Sequence, residues 1–280
     1  MASPVTTAGL LSAGLARLCG LAAAQLDAEL LLAHVLATPR ARIKSHPEEP
    51  RASSEAERYL ALIERRSAGE PLAYLVGRKE FWSLELEVGP DVLVPRPETE
   101  LLVERALACR PDPRGAAADL GTGSGAIALA LARERPAWNI TATDASLRAL
   151  QVARRNAAAL AAHNVELLAG DWFEPLAGRR FDVVVSNPPY VAAADPALTA
   201  PPLAHEPREA LTPGADAMSH LRRIARAAPR HLAHGGWVLL EHAPEQAADV
   251  ARELVSAGFG HVRSHRDLAG HERVTEARRE

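Results

Sequence analysis

Short apolar strands alternate with helices from about residue 98 onward in this 280-residue chain, and that alternation limits the fold more than any other feature. It predicts an α/β fold with a mostly parallel, twisted sheet and helices on both faces. Two late strand patterns predict a C-terminal antiparallel hairpin. The predicted strands are 116–120, 140–143, 165–168, 183–185 and 237–241, with the hairpin near 261–265 and 273–276. The predicted helices are 126–135, 147–160, 217–232 and one that starts near 245.

Residues 1–75 lack strand patterns and predict a small all-helical domain. Leucines recur at helical spacing, at Leu10, Leu11, Leu15 and Leu18, and residues 27–36 form a second amphipathic segment. A Ser-x-x-Glu capping box at Ser54–Glu57 predicts the start of a third helix that ends near residue 69. The domain holds no obvious catalytic group, so its expected role is structural or the docking of a partner.

Between residues 76 and 97 the hydrophobic period becomes that of a strand. Leu84, Leu86 and Val88 alternate with glutamates, and the residues at 89–91 are a turn signal. We therefore predict a β-hairpin in which 84–88 pairs with 92–94. The predicted division of the chain is a helical domain at 1–75, a hairpin linker at 76–97 and a catalytic domain at 98–280.

Composition argues against several classes of protein. The net charge of −3 gives no basic field for holding a nucleic-acid backbone, so no direct nucleic-acid binding is expected. No window approaches the ~20 uncharged apolar residues of a transmembrane helix, so no membrane association is expected. Cys19 and Cys109 form neither a metal-type pair nor a disulfide framework. We expect a cytoplasmic, monomeric protein with no metal.

A glycine-rich segment lies where the first strand of the predicted sheet passes into a helix. It consists of Gly121, Thr122, Gly123, Ser124 and Gly125. Glycines at such a junction let the backbone turn tightly and approach a ligand. The segment also fits the loose dinucleotide-binding pattern, so a nicotinamide or flavin dehydrogenase stays open at this point.

Two further residues suit an adenosine cofactor. Asp144 ends the strand after the glycine segment and can accept from both hydroxyls of a ribose, a contact that serves any such cofactor. Trp172 follows the third strand and offers a flat ring on which adenine can stack; the alternative for Trp172 is a core aromatic.

The tetrapeptide after the fourth strand carries the strongest chemical signal. It consists of Asn187, Pro188, Pro189 and Tyr190. The prolines cannot donate to a sheet ladder and end the strand at the carboxyl edge, where open α/β sheets bind ligands. There the Asn187 oxygen and the Pro188 carbonyl can accept both hydrogens of a planar –NH2 group, while Tyr190 packs on its flat face. With no recognisable dehydrogenase proton donor, this cluster favours methyl transfer from S-adenosylmethionine.

These residues are similar to those of the bacterial release factor glutamine methyltransferases, the PrmC or HemK family. The similarity covers nearly the whole chain. The glycine segment is shared by many methyltransferases, whereas the combined set of motifs is much more specific. The similar segments are 27–32, 80–84, 95–100, 119–125, 171–173, 186–190, 239–242 and 272–275.

The resemblance implies a class I, Rossmann-like methyltransferase that uses S-adenosylmethionine and releases S-adenosylhomocysteine. The implied substrate is the glutamine of the Gly-Gly-Gln motif in class I peptide chain release factors, methylated on its side-chain nitrogen. By the same resemblance, Gly121–Gly125, Asp144, Trp172 and Asn187 would contact the cofactor, and Asn187–Tyr190 would hold the glutamine amide. The helical domain would grip the release factor.

One segment departs from the family pattern. After the tetrapeptide the family usually shows an aromatic or arginine-rich lead into Glu-Pro, and then a Gly-Gly-x-Asp-Gly turn. This chain has Ala204–Pro207 and Pro213–Ala217 at these places. The departure concerns the lip over the substrate and leaves the chemistry unchanged.

Three other functions stay open. A ribosomal-protein glutamine methyltransferase differs only in the N-terminal and hairpin residues. A DNA or RNA adenine or guanine methyltransferase would hold an exocyclic amine in the same kind of tetrapeptide, although the acidity of the chain and the small helical domain argue against it. A non-catalytic binding module of the same fold is disfavoured by the intact glycine segment and tetrapeptide.

Overall fold

The structure, a computed structural model, describes residues 5–280 and divides into two units after Gly77. The first four residues of the predicted helical domain lie outside the described part. Within residues 5–280 no helix is both long enough and apolar enough to cross a membrane.

The first unit is helical. Two of its short helices were not predicted as separate elements, and each follows a proline, Pro39 or Pro71, which favours a helix start. Its core includes Leu31, Tyr59 and Ile63, all fully buried. The helices are α1 (Thr7–Leu18), α2 (Ala24–Val35), α3 (Arg40–Ser45), α4 (Ser53–Ser67) and α5 (Leu72–Val76).

The start of α4 corrects the predicted capping box. The helix begins at Ser53, and the Glu55 carboxylate accepts from the backbone N–H of Ala52 at 3.0 Å. The box predicted at Ser54–Glu57 is therefore wrong by two positions, because Glu55 serves the cap equally well by sequence type. Which of Glu55 and Glu57 caps the helix depends on where the chain turns into α4, and it does so at Ala52.

Buried charges tie the helices of this unit together. Asp27 on α2 accepts from Arg66 on α4 at 2.8 Å, and the Asp27 side chain is only 5% exposed. Glu29, also on α2, lies 3.2 Å from Lys44 on α3. Both carboxylates belong to the apolar-rich segment 27–32, so each needs a cation to offset its burial.

The hairpin after Gly77 pairs differently from the prediction. Strand β1 (Arg78–Phe81) pairs antiparallel with β2 (Leu84–Glu87), and Val92–Val94 forms no strand. The turn is made by Trp82 and Ser83, both at positive φ (+52° and +56°), as a two-residue hairpin turn requires. The predicted pairing of 84–88 with 92–94 was wrong because this turn lacks the usual glycine or asparagine.

The main sheet confirms the predicted α/β fold. Within residues 78–280 it has seven strands in the order β5-β4-β3-β6-β7-β9-β8. The five strands from β3 to β7 are parallel, and β9 pairs antiparallel with both β7 and β8. The strands are β3 (Gly115–Leu120), β4 (Trp138–Asp144), β5 (Val165–Ala169), β6 (Phe181–Ser186), β7 (Leu232–Glu241), β8 (Phe259–Arg266) and β9 (Glu272–Arg279). The helices are α6 (Glu100–Cys109), α7 (Ala126–Glu134), α8 (Leu147–Ala159), α9 (Ser219–His231) and α10 (Ala247–Ser256).

Strand register brings four residues to one level at the carboxyl edge of the sheet. Leu120 on β3 pairs with Thr143 on β4 and with Ser186 on β6, and Ser186 pairs with Leu240 on β7. The next residue of each strand therefore lies along the same edge. We call these four residues the edge row: Asp144, Gly121, Asn187 and Glu241.

We predict that Arg66→Met destabilises the helical unit strongly. The substitution leaves the Asp27 carboxylate buried without its cation, which costs about 3–5 kcal/mol in comparable cases. The neighbouring Arg65→Met is the matched control, since Arg65 pairs with Glu70 at the surface and is 55% exposed. It should cost no more than about 1 kcal/mol. Urea unfolding followed by the helical circular dichroism signal measures both; equal losses would contradict the argument.

Candidate active site

A cavity of about 320 Å³ lies at the carboxyl edge of the sheet. Its size falls at the lower end of the range typical of small-molecule sites. Its walls include three members of the edge row together with residues of the segment before α6, the loops after β4 and β5, and the start of α9. The lining residues that matter below are Asp91, Val92, Leu93, Gly121, Gly123, Asp144, Trp172, Asn187, Pro189, Glu209 and His220.

Gly121 has a backbone conformation that any other residue would adopt only with strain. Its φ is +73°, and a Cβ there would lie 3.0 Å from the Trp172 ring. Gly123 has φ +56° and nothing within 4 Å of a Cβ. The segment thus packs on Trp172 at Gly121 and leaves open space at Gly123, where a ligand can approach the backbone.

A buried carboxyl supports the glycine segment from below. Asp119 is fully buried; its Oδ2 accepts from the Thr122 hydroxyl at 2.6 Å and from the Ala128 N–H at 3.2 Å. Burial raises the pKa of Asp119 to about 7, although these two hydrogen bonds lower it. The Asp119 Oδ1 is buried with no hydrogen-bond partner among residues 5–280.

Asp144 is held by the backbone around it. Its carboxylate accepts from the Gly123 N–H and from the Ser146 N–H, each at 2.8 Å. Burial raises the pKa of Asp144, while these two backbone donors lower it. The carboxylate therefore fixes the glycine segment and still lines the cavity, where it can accept from hydroxyl groups.

Trp172 lies beside the cavity in an unusual backbone conformation. Its φ is +50°, and its ring contacts His220 edge-on with centroids 5.2 Å apart. Its Nε1 is buried with no partner in the described part of the chain. Burial lowers the pKa of His220, which favours the neutral imidazole. The two ring planes meet at 66°, and both residues line the cavity.

The tetrapeptide leaves β6 with Asn187 half-buried and Pro188 buried. The Ser186 hydroxyl, just before it, donates to the Leu120 carbonyl at 2.7 Å and fixes β6 to β3 at this end. The Asn187 Nδ2 donates to the Thr99 hydroxyl at 3.2 Å. The Asn187 oxygen is thereby left for another donor.

Tyr190 is fixed at both its hydroxyl and its backbone. The hydroxyl donates to Glu241 Oε1 at 3.3 Å, and the Tyr190 carbonyl accepts from Gln246 Nε2 at 3.0 Å. Burial, with the nearby Glu241 carboxyl, raises the pKa of the Tyr190 hydroxyl. Tyr190 does not line the cavity itself but packs against the core on one face of the sheet.

The cavity thus brings together only part of the predicted site. Gly121, Gly123, Asp144, Trp172, Asn187 and Pro189 line it. Thr122, Ser124 and Gly125 are turned into the loop: Thr122 bonds Asp119, Ser124 accepts from Asn156 at 2.9 Å, and Gly125 opens α7 at φ +86°. Pro188 and Tyr190 are not among the residues that line the cavity.

Sequence reasoning missed several residues of the wall. Asp91, Val92 and Leu93, which were predicted as a turn and a strand, line the cavity as an irregular segment. The sequence signal at 92–94 was an apolar valine-leucine-valine run, which is typical of a strand. Glu209 and His220 carry no signal at all, because both come from segments far along the chain.

The departing segment nevertheless keeps a structural anchor. Glu206, whose side chain is fully buried, accepts from the Val94 N–H at 3.0 Å and forms an ion pair with Arg96. Further on, the Ala193 N–H donates to the Gly214 carbonyl at 2.9 Å. The lip over the cavity is therefore tied to the segment before α6 and to the loop that follows the tetrapeptide.

Comparison with known proteins agrees with this geometry. Residues 97–218 match the Methyltransferase small domain, and residues 10–77 match the PrmC N-terminal domain. A release factor glutamine methyltransferase of Xylella fastidiosa is 48% identical over 91% of this chain and 93% of its own length. One of Pseudomonas aeruginosa is 48% identical over 90% of this chain and 91% of its own. A methyltransferase structure from Pyrococcus furiosus has a TM-score of 0.55 and 21% identity over 78% of this chain and 96% of that chain, and so shares the fold.

The sheet order, the edge site and the matched domain define a Rossmann-like methyltransferase. With nearly half of its residues shared along nine-tenths of its length, the chain belongs to the release factor glutamine methyltransferase family. The predicted family and fold class are confirmed. Membership of this family implies S-adenosylmethionine as the methyl donor.

The residues of the cavity fit that donor. The glycine segment leaves room for a ligand at Gly123, and a flat wall is present at Trp172. Carboxylates line the cavity from four segments, at Asp91, Asp144, Asp171 and Glu209, and suit a ligand that carries a positively charged sulfur and an ammonium group.

We predict that Gly121→Ala is more damaging than Gly178→Ala. The two glycines have nearly equal φ, +73° and +76°, so each alanine carries a similar strain of about 1–2 kcal/mol. Only the alanine at 121 meets a neighbour, the Trp172 ring, since nothing lies within 4 Å of a Cβ at 178. Urea unfolding and calorimetric titration with S-adenosylmethionine should show a larger loss of stability and affinity at 121. Matching losses would refute the crowding by Trp172.

Proposed function

We propose that this enzyme transfers the methyl group of S-adenosylmethionine to the side-chain amide nitrogen of glutamine in the Gly-Gly-Gln motif of class I peptide chain release factors. The observation that carries the proposal is the Asn187 carboxamide, held through Nδ2 by Thr99 at the carboxyl edge beside the glycine segment. The names of relatives at 48% identity support the same substrate.

In this proposal the cofactor is held by the cavity wall. Gly121, Gly123 and Asn187 would approach it with backbone and amide groups, Asp144 would accept from ribose hydroxyls, and Trp172 would stack on adenine; all five residues line the cavity. Thr122, Ser124 and Gly125 act by shaping the segment. When bound, S-adenosylmethionine supplies a methyl group on a positively charged sulfur and leaves as S-adenosylhomocysteine.

The tetrapeptide would hold the glutamine amide. An amide nitrogen is a poor nucleophile, because its lone pair is delocalised into the carbonyl. The Asn187 oxygen and the Pro188 carbonyl accept its two hydrogens, which raises electron density on nitrogen and aims the lone pair. Pro189 and Tyr190 limit its movement. Such alignment can lower a barrier by roughly 7–11 kcal/mol. The proton that the nitrogen loses leaves to water.

The helical unit would bind the body of the release factor. It matches the PrmC N-terminal domain, and its surface has a groove among α1, α2 and α3 with apolar walls at Leu11, Leu15 and Ile43. We further propose that the enzyme acts in the cytoplasm, where release factors meet the ribosome, and as a monomer.

Incubation with labelled S-adenosylmethionine tests the substrate. The panel holds an intact class I release factor, the same factor with the motif glutamine changed to alanine, a short Gly-Gly-Gln peptide, a ribosomal protein mixture, DNA and RNA. Mass spectrometry should place one methyl group on the motif glutamine of the intact factor, with a higher KM for the short peptide. Label on the ribosomal proteins or the nucleic acids instead would overturn the proposal.

We predict that Asn187→Ala lowers kcat by more than about 100-fold, since it removes one acceptor for the substrate amide and the alignment that follows from it. The Kd for S-adenosylmethionine should change less than about tenfold, because most proposed contacts to it lie elsewhere in the wall. Asn139→Ala is the control: that asparagine is exposed on β4. Near-normal turnover of the Asn187 variant would rule out this role.

A further inference from the structure

Glu241 is a buried carboxyl that the proposed chemistry does not use. It ends β7, stands beside Asn187 in the edge row, and is only 1% exposed. Its Oε1 accepts from the Tyr190 hydroxyl, while its Oε2 is buried with no hydrogen-bond partner among residues 5–280. A carboxyl buried in this state at an active-site edge needs an explanation, because its burial is costly.

Thr99 lies between this carboxyl and Asn187. It is 4% exposed, accepts from Asn187 Nδ2 at 3.2 Å, and its hydroxyl is close enough to Glu241 to lower the pKa of that carboxyl. Thr99 ends the short turn at Pro97–Thr99 that leads into α6. Strand register places Glu241 next to Asn187, and Asn187 bonds Thr99, so residues from three segments distant in sequence lie around this hydroxyl.

The proton count fixes the direction of these contacts. An ionised carboxylate only accepts, and a threonine hydroxyl has one proton to donate. If Thr99 turns its proton toward Glu241 Oε2, the oxygen that has no other partner among residues 5–280, the Thr99 oxygen must accept from Asn187, and the donor must be Nδ2. The Asn187 oxygen then faces away from Thr99. A protonated Glu241 can donate to Thr99 instead, which frees the threonine proton for the Asn187 oxygen and turns the carboxamide over.

We propose that Thr99 and Glu241 are positioning residues that hold the Asn187 carboxamide with its oxygen toward the substrate amide. The same carboxylate holds the Tyr190 hydroxyl, so one group orients both ends of the tetrapeptide. The inference rests on the proposed function, in which that oxygen accepts a substrate N–H. It adds two residues that never touch the substrate.

The proposal gives the reaction a pH dependence of known sign. Burial raises the pKa of Glu241 to about 7; Thr99, Arg273 and Tyr190 lower it, and Glu98 raises it. The adjacent His242 bonds Thr275 and the Ala243 carbonyl instead. Glu241 is ionised above this pKa, so the productive orientation is populated there and kcat rises with pH. Asp119 also has a pKa of about 7, so a variant must separate the two groups.

The first test removes the hydroxyl of Thr99 and keeps its shape. Thr99→Val should lower kcat about 10- to 100-fold, the effect of losing one orienting hydrogen bond, with little change in KM or in the Kd for S-adenosylmethionine. Thr99→Ser should restore turnover to within about fivefold. Thr141→Val, the same change at a buried threonine on β4 that bonds Glu166, is the control and should match wild type.

The second test changes the carboxyl. Glu241→Gln carries an NH2 group that can donate to Thr99, so it should mimic the protonated state. Its kcat at pH 8 should be at least about tenfold lower than that of wild type. The rise of kcat with pH that comes from ionisation of Glu241 should be absent. Glu276→Gln, at another buried glutamate that is ion-paired with Arg105, is the control and should keep the wild-type profile.

The outcomes separate this inference from the proposed function. If wild type places no methyl group on the release factor, the proposed function fails. If wild type is active but Thr99→Val equals Thr141→Val, or Glu241→Gln keeps both the wild-type kcat and its pH profile, the positioning network is refuted. Should Thr99→Val lose its fold by circular dichroism, the Glu241→Gln profile alone decides.

Discussion

The in-register ends of the parallel strands are the constraint on which the rest of this molecule depends. Because Leu120 pairs with both Thr143 and Ser186, three neighbouring strands of the sheet end at one level, and the residues that follow them lie side by side there. The Ser186 hydroxyl, bonded to the Leu120 carbonyl, fixes the pairing at its last step. A slip of one residue would turn Asn187 to the opposite face of the sheet. Register, more than any loop, therefore places the chemistry.

Electrostatics at this edge follow from the same geometry. Strand ends that are buried on both faces carry Asp119 and Glu241 into places that water does not reach, and burial raises the pKa of both to about 7. Among residues 5–280, neither carboxyl has a cation as its hydrogen-bond partner, and each relies on hydroxyl or backbone donors. The site thus keeps two carboxyls close to their titration point near neutral pH, one beneath the glycine segment and one behind the tetrapeptide.

Sequence alone predicted much of this arrangement and missed what depends on folding. The strands and helices from 115 to 260 follow from hydrophobic period, and the glycine segment and tetrapeptide follow from their residue types. The hairpin was paired wrongly because Trp82 and Ser83 adopt positive φ without the usual residues. Thr99 and Glu241 lie in segments that are similar to the family, but the sequence assigned them no role. They are 88 and 54 residues away from Asn187, and only the fold brings them close to it. Tyr190 was expected to act through its ring, and the structure gives its hydroxyl a partner as well.

The order of the last two strands has a consequence for how the molecule is made. Strand β9 follows β8 in the chain yet lies between β8 and β7. During synthesis β8 emerges before β9, its partner in the sheet, and the edge of β7 that carries Glu241 stays open until residues 272–279 arrive. An open edge is a place where another chain can add on. The catalytic sheet is thus closed by the segment that a ribosome delivers after all its other strands.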